Sequence, residues 1–141
     1  MSTVQFELPD AFPYSTRLQV HMAYINYGAH VGSDGYLTIV HEARVRYLRY
    51  YGMKEFDAEG MSLVITESYL KYLGESFPGD ELEIHVAAKD FSRVGFDIYY
   101  KFFNLTTGKE VLIAKNGIVC IDPQLKKIAK IPASLKEKLT L

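Results

Sequence analysis

From Gly60 onward the sequence consists of strand-like segments separated by short turns. Each segment is rich in Val, Ile, Tyr and Phe, the residues that suit a pleated, half-buried surface. The segments are Met61–Leu73, Glu81–Asp90, Gly95–Asn104 and Val111–Ile121. The Thr107-Gly108 pair before the last segment is typical of a hairpin turn, so this part of the chain predicts four consecutive antiparallel strands joined by turns.

A different periodicity precedes these strands. After a strand-like stretch from Ser15 to Asn26, apolar residues recur every three or four positions over 36–51, which predicts an amphipathic helix. Ser33 or Asp34 is available as its N-cap and Gly52 as its C-terminal cap. The apolar residues form more than a narrow stripe, so we expect much of the helix circumference to be covered. One strand, one long helix and four strands predict an α+β domain in which the sheet wraps around the helix.

Length and composition exclude several classes of protein. The 141 residues suffice for a single domain, 1–141, with a core over about 15–122 and a tail, 123–141, in which Pro132 begins a short helix. One cysteine, Cys120, leaves no intrachain disulfide. The net charge of −1 argues against nucleic-acid binding. No transmembrane run or signal peptide is visible, so we expect a cytoplasmic protein without membrane contact.

The turn-rich stretch before the helix carries a family motif. The stretch is Asn26-Tyr27-Gly28-Ala29-His30-Val31-Gly32-Ser33-Asp34-Gly35-Tyr36-Leu37, with His41-Glu42-Ala43-Arg44 in the helix and Pro78-Gly79-Asp80 before a strand. In this order, over roughly 17–122, these motifs resemble the hotdog-fold acyl-CoA thioesterases, in particular the branch typified by 4-hydroxybenzoyl-CoA thioesterase. The resemblance implies a hotdog fold, with about five antiparallel strands around one long central helix. It also implies hydrolysis of an acyl or aromatic acyl thioester to free acid and CoA thiol, without a cofactor.

The resemblance points to the catalytic residues as well. The branch's usual catalytic carboxylate falls at Asn26, whose amide cannot serve as a general base or a carboxylate nucleophile. Other hotdog thioesterases pair an Asn in this loop with an acid on the central helix, and the nearest such acid here is Asp34. Asp34 is therefore either the base or only a helix cap. Asn26 either contacts substrate or water, or is simply a turn residue.

The helix N-terminus is the expected substrate-binding element. Its free N–H groups and dipole favour a developing oxyanion, and its glycines let a substrate approach the backbone. The candidate binding residues are Gly32, Ser33, Gly35 and Tyr36. His30 is a candidate catalytic residue, acting as a proton carrier or as a brace for the loop.

Other chemistries have less support. Val45 replaces the second His of a zinc-binding H-E-x-x-H motif that would begin at His41, so no metal site is predicted. Cys120 lies in an apolar strand and is interpreted as a core thiol. Four charged helix residues are interpreted mainly as helix-surface or subunit-interface groups: Glu42, Arg44, Arg46 and Arg49. Glu42 and Glu67 could alternatively enter the site of a neighbouring subunit.

Two rival functions and the state of assembly stay open. A non-catalytic acyl-CoA-binding protein is favoured by the missing acid at Asn26, and a thioesterase for acyl-carrier-protein substrates is the other alternative. The resemblance implies a homodimer, or a dimer of dimers, with sites at the subunit interface. The 11 tyrosines agree with this, because tyrosine suits half-buried interfaces. Several basic residues could meet CoA phosphates or form a solvated face: Lys89, Arg93, Lys115, Lys126, Lys127 and Lys130.

Overall fold

One antiparallel sheet and one long helix dominate the computed structural model, which describes residues 6–140. The strands are β1 (Tyr14–Gln19), β2 (Ser62–Tyr72), β3 (Glu81–Lys89), β4 (Gly95–Asn104), β5 (Lys109–Asp122) and β6 (Lys127–Ile128). The helices are α1 (Ser33–Tyr50) and α2 (Ala133–Leu139), and a 3₁₀ turn covers Met22–Tyr24. The predicted α+β class and hotdog architecture are confirmed.

The strand order differs from the order along the chain. The sheet runs β1-β3-β4-β5-β2, with β6 paired to the end of β5. The predicted β4–β5 hairpin is confirmed, and Gly108 takes the positive φ of 75° that its turn requires. However, β2 pairs with β5 and not with β3. The Pro78-Gly79-Asp80 turn therefore belongs to the connection that crosses from β2 to β3. In this connection the Asp80 carbonyl accepts a hydrogen bond from the N–H of Val20, the residue after β1, and Gly79 N–H donates to the Val20 carbonyl.

The core lies between the inner face of the sheet and one face of α1. The buried apolar residues of α1 are Tyr36, Ile39, Val40, Ala43, Tyr47 and Leu48. On the opposite face Leu37, His41 and Glu42 are exposed. The predicted broad coverage of the helix is seen on the side that faces the sheet, where eight of its 18 residues are buried.

The C-terminal segment contributes to the same core. Ile131, Leu135 and Leu139 are buried in the cluster formed by the sheet and α1. Leu135 and Leu139 lie four positions apart on α2, so they share one face of that short helix. The packed core thus extends past residue 122.

One element boundary differs from the prediction, and one agrees with it. The first strand ends at Gln19 and not at Asn26, because the N–H groups of Tyr24 and Ile25 bond to the carbonyls of His21 and Met22, both at 3.1 Å. This turn closes a 3₁₀ helix in place of a strand. At the other end of α1, Gly52 has the expected left-handed conformation, with φ 76°.

Arg44 is a buried residue, so its interpretation as a surface charge is wrong. It is 7% exposed, and its Nε donates to Glu55 Oε1 at 2.6 Å. A second nitrogen donates to Asn116 Oδ1 at 2.8 Å, and the Tyr100 hydroxyl donates to the same oxygen at 2.6 Å. Asn116 in turn donates to Ser68 Oγ at 2.8 Å. This polar network joins α1 to the sheet and to the loop before β2.

Candidate active site

The loop between β1 and α1 is closed by its own backbone. Asn26 N–H donates to the His30 carbonyl at 3.0 Å, and Ala29 N–H donates to the Asn26 carbonyl at 3.1 Å. Val31 N–H donates to the carbonyl of Ser76 at 2.9 Å. The loop is therefore held both to itself and to the segment that follows β2.

The N-terminus of α1 presents free backbone donors. Its first intrahelical bond runs from Tyr36 N–H to the Gly32 carbonyl at 3.0 Å. Within residues 6–140, the N–H groups of Ser33, Asp34 and Gly35 have no backbone acceptor, as is usual for the first turn of a helix. Ser33 and Asp34 are exposed, so this end of the helix dipole faces solvent and can stabilise a developing negative charge.

Asn26 and Asp34 meet over Gly32. A methyl group added to Gly32 would lie 2.7 Å from Asp34 Oδ1 and 3.1 Å from Asn26 Nδ2. Asn26 Oδ1 accepts a hydrogen bond from Gly28 N–H at 2.9 Å, which turns the amide NH₂ toward Gly32. A carboxylate oxygen and an amide donor therefore flank the same small space, which we call the Gly32 niche. Any side chain at position 32 would fill it.

The Asp34 carboxylate is not used as a helix cap. The N-cap residue is Gly32, so neither Ser33 nor Asp34 occupies that position, and no side chain caps the helix. In the described part of the chain, the Asp34 carboxylate accepts no hydrogen bond. The two interpretations of Asp34 therefore do not compete, because its oxygens are free to hold a water molecule.

The His30 ring lies beside Gly28, where an added methyl group would be 3.0 Å from His30 Nε2 and 3.2 Å from Asn26 Oδ1. Its Nδ1 is 3.1 Å from the Val31 carbonyl, which assigns the ring proton of a neutral imidazole to Nδ1. Its Nε2 is 4.0 Å from Glu75 Oε1, and its ring packs edge-on against Phe77. This geometry suits a brace between the loop and the connection after β2. Glu75 was not singled out in the sequence, because it lies in a connection whose path depends on the strand order.

Gly35 and Tyr36 are buried and pack beneath the loop. A methyl group on Gly35 would approach the Tyr24 carbonyl to 2.5 Å, so glycine is needed there for close packing. Tyr36 is 2% exposed and its hydroxyl donates to Ser76 Oγ at 3.1 Å. Burial raises the pKa of Tyr36, which keeps this hydroxyl a donor. The structure thus brings Asn26, Gly32, Ser33 and Asp34 together and sets Gly35 and Tyr36 beneath them.

Neither a metal cluster nor a membrane helix is present in the described region. Across residues 6–140, no set of three or more His, Cys, Asp or Glu side chains is arranged to hold a metal ion. No helix in the same range is both long and apolar enough to span a bilayer. Cys120 is fully buried, as predicted for a core thiol, and burial raises its pKa.

The chain is similar to a thioesterase family model, to a CoA thioester hydrolase and to solved thioesterase structures. Residues 20–139 match the family model of the thioesterase-like superfamily. A 1,4-dihydroxy-2-naphthoyl-CoA hydrolase of Microcystis aeruginosa is 31% identical over 108 residues, which span 73% of this chain and 75% of the relative. A 1,4-dihydroxy-2-naphthoyl-CoA thioesterase from Synechocystis superposes with a TM-score of 0.79 at 18% identity, covering 89% of this chain and 94% of that one. A Thermus thermophilus thioesterase solved with coenzyme A and zinc has a TM-score of 0.80 at 19% identity, covering 93% and 100%.

Proposed function

The chain belongs to the thioesterase-like superfamily and hydrolyses acyl-CoA thioesters, and we propose that the reaction takes place in the Gly32 niche. The observation that carries this proposal is the position of the Asp34 carboxylate and the Asn26 amide on either side of Gly32. The free N–H groups of the first turn of α1 lie at the same end of the helix. A base, a polar donor and an oxyanion site are the groups that thioester hydrolysis needs.

In the proposed mechanism Asp34 acts as the general base. Its carboxylate takes a proton from a water molecule, whose oxygen forms a bond to the thioester carbonyl carbon. The carbonyl electrons move to the oxygen, and the N–H groups at the start of α1 stabilise that charge. The intermediate then collapses, the C–S bond breaks, and the CoA thiolate leaves and takes up the proton. The products are a free acid and the CoA thiol.

Asn26 stands where the related branch has its carboxylate, and we assign it a positioning role. With Oδ1 bound to Gly28 N–H, its Nδ2 is available to the water molecule or to the thioester carbonyl. An amide can orient either group but cannot accept the proton. We therefore assign the role of base to Asp34, whose carboxylate makes no capping bond.

A second copy of the chain is proposed to complete the site. Asn26, Ser33 and Asp34 are exposed in the single chain, whereas acyl transfer benefits from a niche closed to bulk water. The edge strand β2 is 11 residues long and lacks a partner on its outer side within the described sheet. Such an edge is usually covered, so we propose a homodimer, alone or paired again, formed through β2. We further propose that it acts in the cytoplasm, a compartment that keeps the single Cys120 a thiol.

The substrate proposed is the CoA thioester of an aromatic acid. The Microcystis relative is named for an aromatic acyl-CoA, and it is 31% identical over the matched region. Exposed aromatic side chains near α1 and the loop, Tyr27 and Phe77 among them, offer ring surfaces for such a group.

The test is a thiol-release assay with a panel of acyl-CoAs, from acetyl through palmitoyl to benzoyl and naphthoyl. We expect Asp34→Asn to lower kcat by about 10²- to 10⁴-fold, the usual contribution of a general base, with KM little changed. In the double variant Asn26→Asp, Asp34→Asn, a carboxylate returns to the opposite side of the niche, and we expect partial recovery of kcat.

Glu137→Gln is the matched control, because it removes an exposed acid on α2. It should retain wild-type turnover. Full activity of Asp34→Asn with every substrate would reject Asp34 as the base. Turnover of carrier-bound thioesters in preference to CoA thioesters would replace the proposed substrate, and preference for long alkyl over aromatic groups would replace the aromatic assignment.

A further inference from the structure

Asp80 carries a buried carboxylate that pairs with no basic side chain. The residue is 8% exposed, and among residues 6–140 no lysine, arginine or histidine nitrogen lies within 4 Å of its carboxylate. A buried charge is costly unless hydrogen bonds satisfy it. Its Oδ2 accepts one such bond from Phe77 N–H at 2.9 Å and another from Asn104 Nδ2 at 2.8 Å. A single oxygen thus joins the turn before β3 to the last residue of β4.

The Phe77 N–H belongs to the tight turn that ends the connection from β2 to β3. Asp80 N–H donates to the Phe77 carbonyl at 3.0 Å. Pro78, followed by Gly79 with a φ of 86°, is the arrangement of a type II turn. Phe77 and Asp80 are therefore bonded twice, once through the backbone and once through the carboxylate. The second bond fixes the chain where it enters the turn from Ser76.

Ser76 and Phe77, at the entry to this turn, contact the proposed catalytic loop. The Ser76 carbonyl accepts a hydrogen bond from Val31 N–H at 2.9 Å, and Ser76 Oγ accepts one from the Tyr36 hydroxyl at 3.1 Å. The Phe77 ring packs edge-on against His30, with ring centres 6.4 Å apart. The placement of these two residues therefore sets the placement of the loop and of the start of α1.

We propose that Asp80 is a positioning residue for thioester hydrolysis. Its carboxylate holds Phe77 N–H, and the segment fixed in this way holds the loop that carries Asn26 and the Gly32 niche. In the described chain no hydrogen bond joins Asp80 to residues 26–34, so it acts through Ser76 and Phe77. The inference rests on the proposed location of the reaction in the Gly32 niche, and it does not depend on which residue is the base.

The test compares Asp80→Ala with the matched control Asn104→Ala, using the acyl-CoA that the wild type hydrolyses fastest. Both variants lose the bond between Asp80 and Asn104, but only Asp80→Ala frees Phe77 N–H. Both should lower the urea midpoint, and Asn104→Ala at least as much, because Asn104 Oδ1 also accepts the N–H groups of Thr106 and Thr107. At a temperature where both are folded, we expect Asp80→Ala to lower kcat about 10- to 100-fold, with KM changed less than about threefold. Asn104→Ala should keep the wild-type kcat.

Two further variants separate geometry from charge at position 80. In Asp80→Asn the amide oxygen can accept both hydrogen bonds, so kcat should return to within about threefold of wild type. Asp80→Glu keeps the charge but moves the carboxylate by one methylene group, so kcat should fall as in Asp80→Ala. It also serves as the test variant if Asp80→Ala does not fold. Full activity of Asp80→Glu with loss of activity in Asp80→Asn would make the charge the cause and overturn the proposal.

Hydrogen exchange of the Val31 amide reports on the loop without any turnover. Relative to the amides of the central strand β4, its exchange should be about tenfold faster or more in Asp80→Ala and unchanged in Asn104→Ala. If neither this exchange nor kcat changes in folded Asp80→Ala, the positioning role is wrong and the Gly32 niche is unaffected. Faster exchange with unchanged kcat would instead place the reaction away from the loop, which overturns the niche and the positioning role together. Equal loss of kcat in Asp80→Ala and Asn104→Ala would reduce the effect to lost stability and also overturn the proposal.

Discussion

Ala29 has a backbone conformation that glycine would adopt at lower cost. Its φ is 65°, in the left-handed region where a Cβ atom costs about 1–2 kcal/mol. Relative to alanine, glycine lowers the stability by about 0.5–1 kcal/mol, because the unfolded chain gains conformational entropy. We therefore expect Ala29→Gly to raise the free energy of unfolding by about 0.5–1 kcal/mol, measured by urea denaturation.

The control for this substitution is Ala23→Gly, at an exposed position of the 3₁₀ turn. It should be destabilising by a similar amount, because only the entropy cost applies there. Equal effects of the two substitutions would contradict the role of the left-handed conformation.

Replacing two buried tyrosines by phenylalanine should affect the free energy of unfolding in different ways. The Tyr100 hydroxyl donates to Asn116 Oδ1 at 2.6 Å, and burial raises its pKa so that the proton is retained. The Tyr47 hydroxyl is buried without a hydrogen-bond partner among residues 6–140. We expect Tyr100→Phe to lower the free energy of unfolding by about 1 kcal/mol, and Tyr47→Phe to leave it unchanged or raise it by about the same amount. Thermal or urea unfolding of both variants at one pH tests the contrast.

At the site, sequence reasoning found the residues that belong to the motif and missed those that support it. Asn26 and Asp34 are close in the sequence, so a loop and one helical turn bring them together. Glu75 and Ser76 contact the same loop from a distant connection. No local pattern predicts their position, because it follows from the pairing of β2 with β5.

At the scale of the elements, α1 carries one charged residue, Arg44, among the buried apolar residues of the face that packs on the sheet. Arg44 lies four positions after Val40 and four before Leu48, on the side of the helix that faces the sheet. That spacing was visible in the sequence, but its partner was not, because Glu55 lies in the loop after the helix. A buried guanidinium needs such a partner.

Two glutamates each form an ion pair with an arginine of α1. Substituting them compares the stability contribution of a buried ion pair with that of an exposed one. Glu55 pairs with Arg44, whose side chain is 9% exposed, whereas Glu42 pairs with Arg46, whose side chain is 32% exposed. We expect Glu55→Gln to destabilise by about 3 kcal/mol, because it leaves a buried charge without its counter-ion. Glu42→Gln should cost less than about 0.5 kcal/mol.

The measurement is urea unfolding of both variants at low and high salt. The effect of Glu42→Gln should shrink further in salt, whereas that of Glu55→Gln should persist, since solvent screens only the exposed pair. A similar small loss in both variants would mean that Arg44 reaches solvent when its partner is removed.

The sheet illustrates what local sequence patterns can and cannot predict. Segments rich in Val, Ile, Tyr and Phe, separated by turn residues, located every long strand after the helix to within a few positions, and the Thr107-Gly108 turn identified the β4–β5 hairpin. The placement of β2 beside β5 depends on pairings such as Tyr72 with Leu112 and Ser62 with Ile121. These contacts join segments far apart in the chain, and short-range patterns contain no information on them. The two-residue β6 was too short to leave a pattern.

For the whole molecule, the β2 edge is the proposed contact between copies. Val64 is 44% exposed and lies on this strand. We expect Val64→Lys to weaken the dimer in sedimentation velocity experiments, because charges on an edge strand oppose strand-to-strand pairing. Ile128→Lys places the same change at an exposed aliphatic side chain of β6 and should leave the dimer intact. Dissociation by both variants, or by neither, would place the contact elsewhere.

The bond from Val31 N–H to the Ser76 carbonyl ties the proposed catalytic loop to the segment that continues from β2. If β2 is ordered by its partner chain, the loop is ordered with it, and the reaction rate per subunit becomes a property of the assembled pair. Diluting the enzyme through its dissociation constant should then lower its specific activity, with a lag before a freshly concentrated sample regains its full rate. An enzyme of this kind adjusts its output to its own abundance without any separate effector.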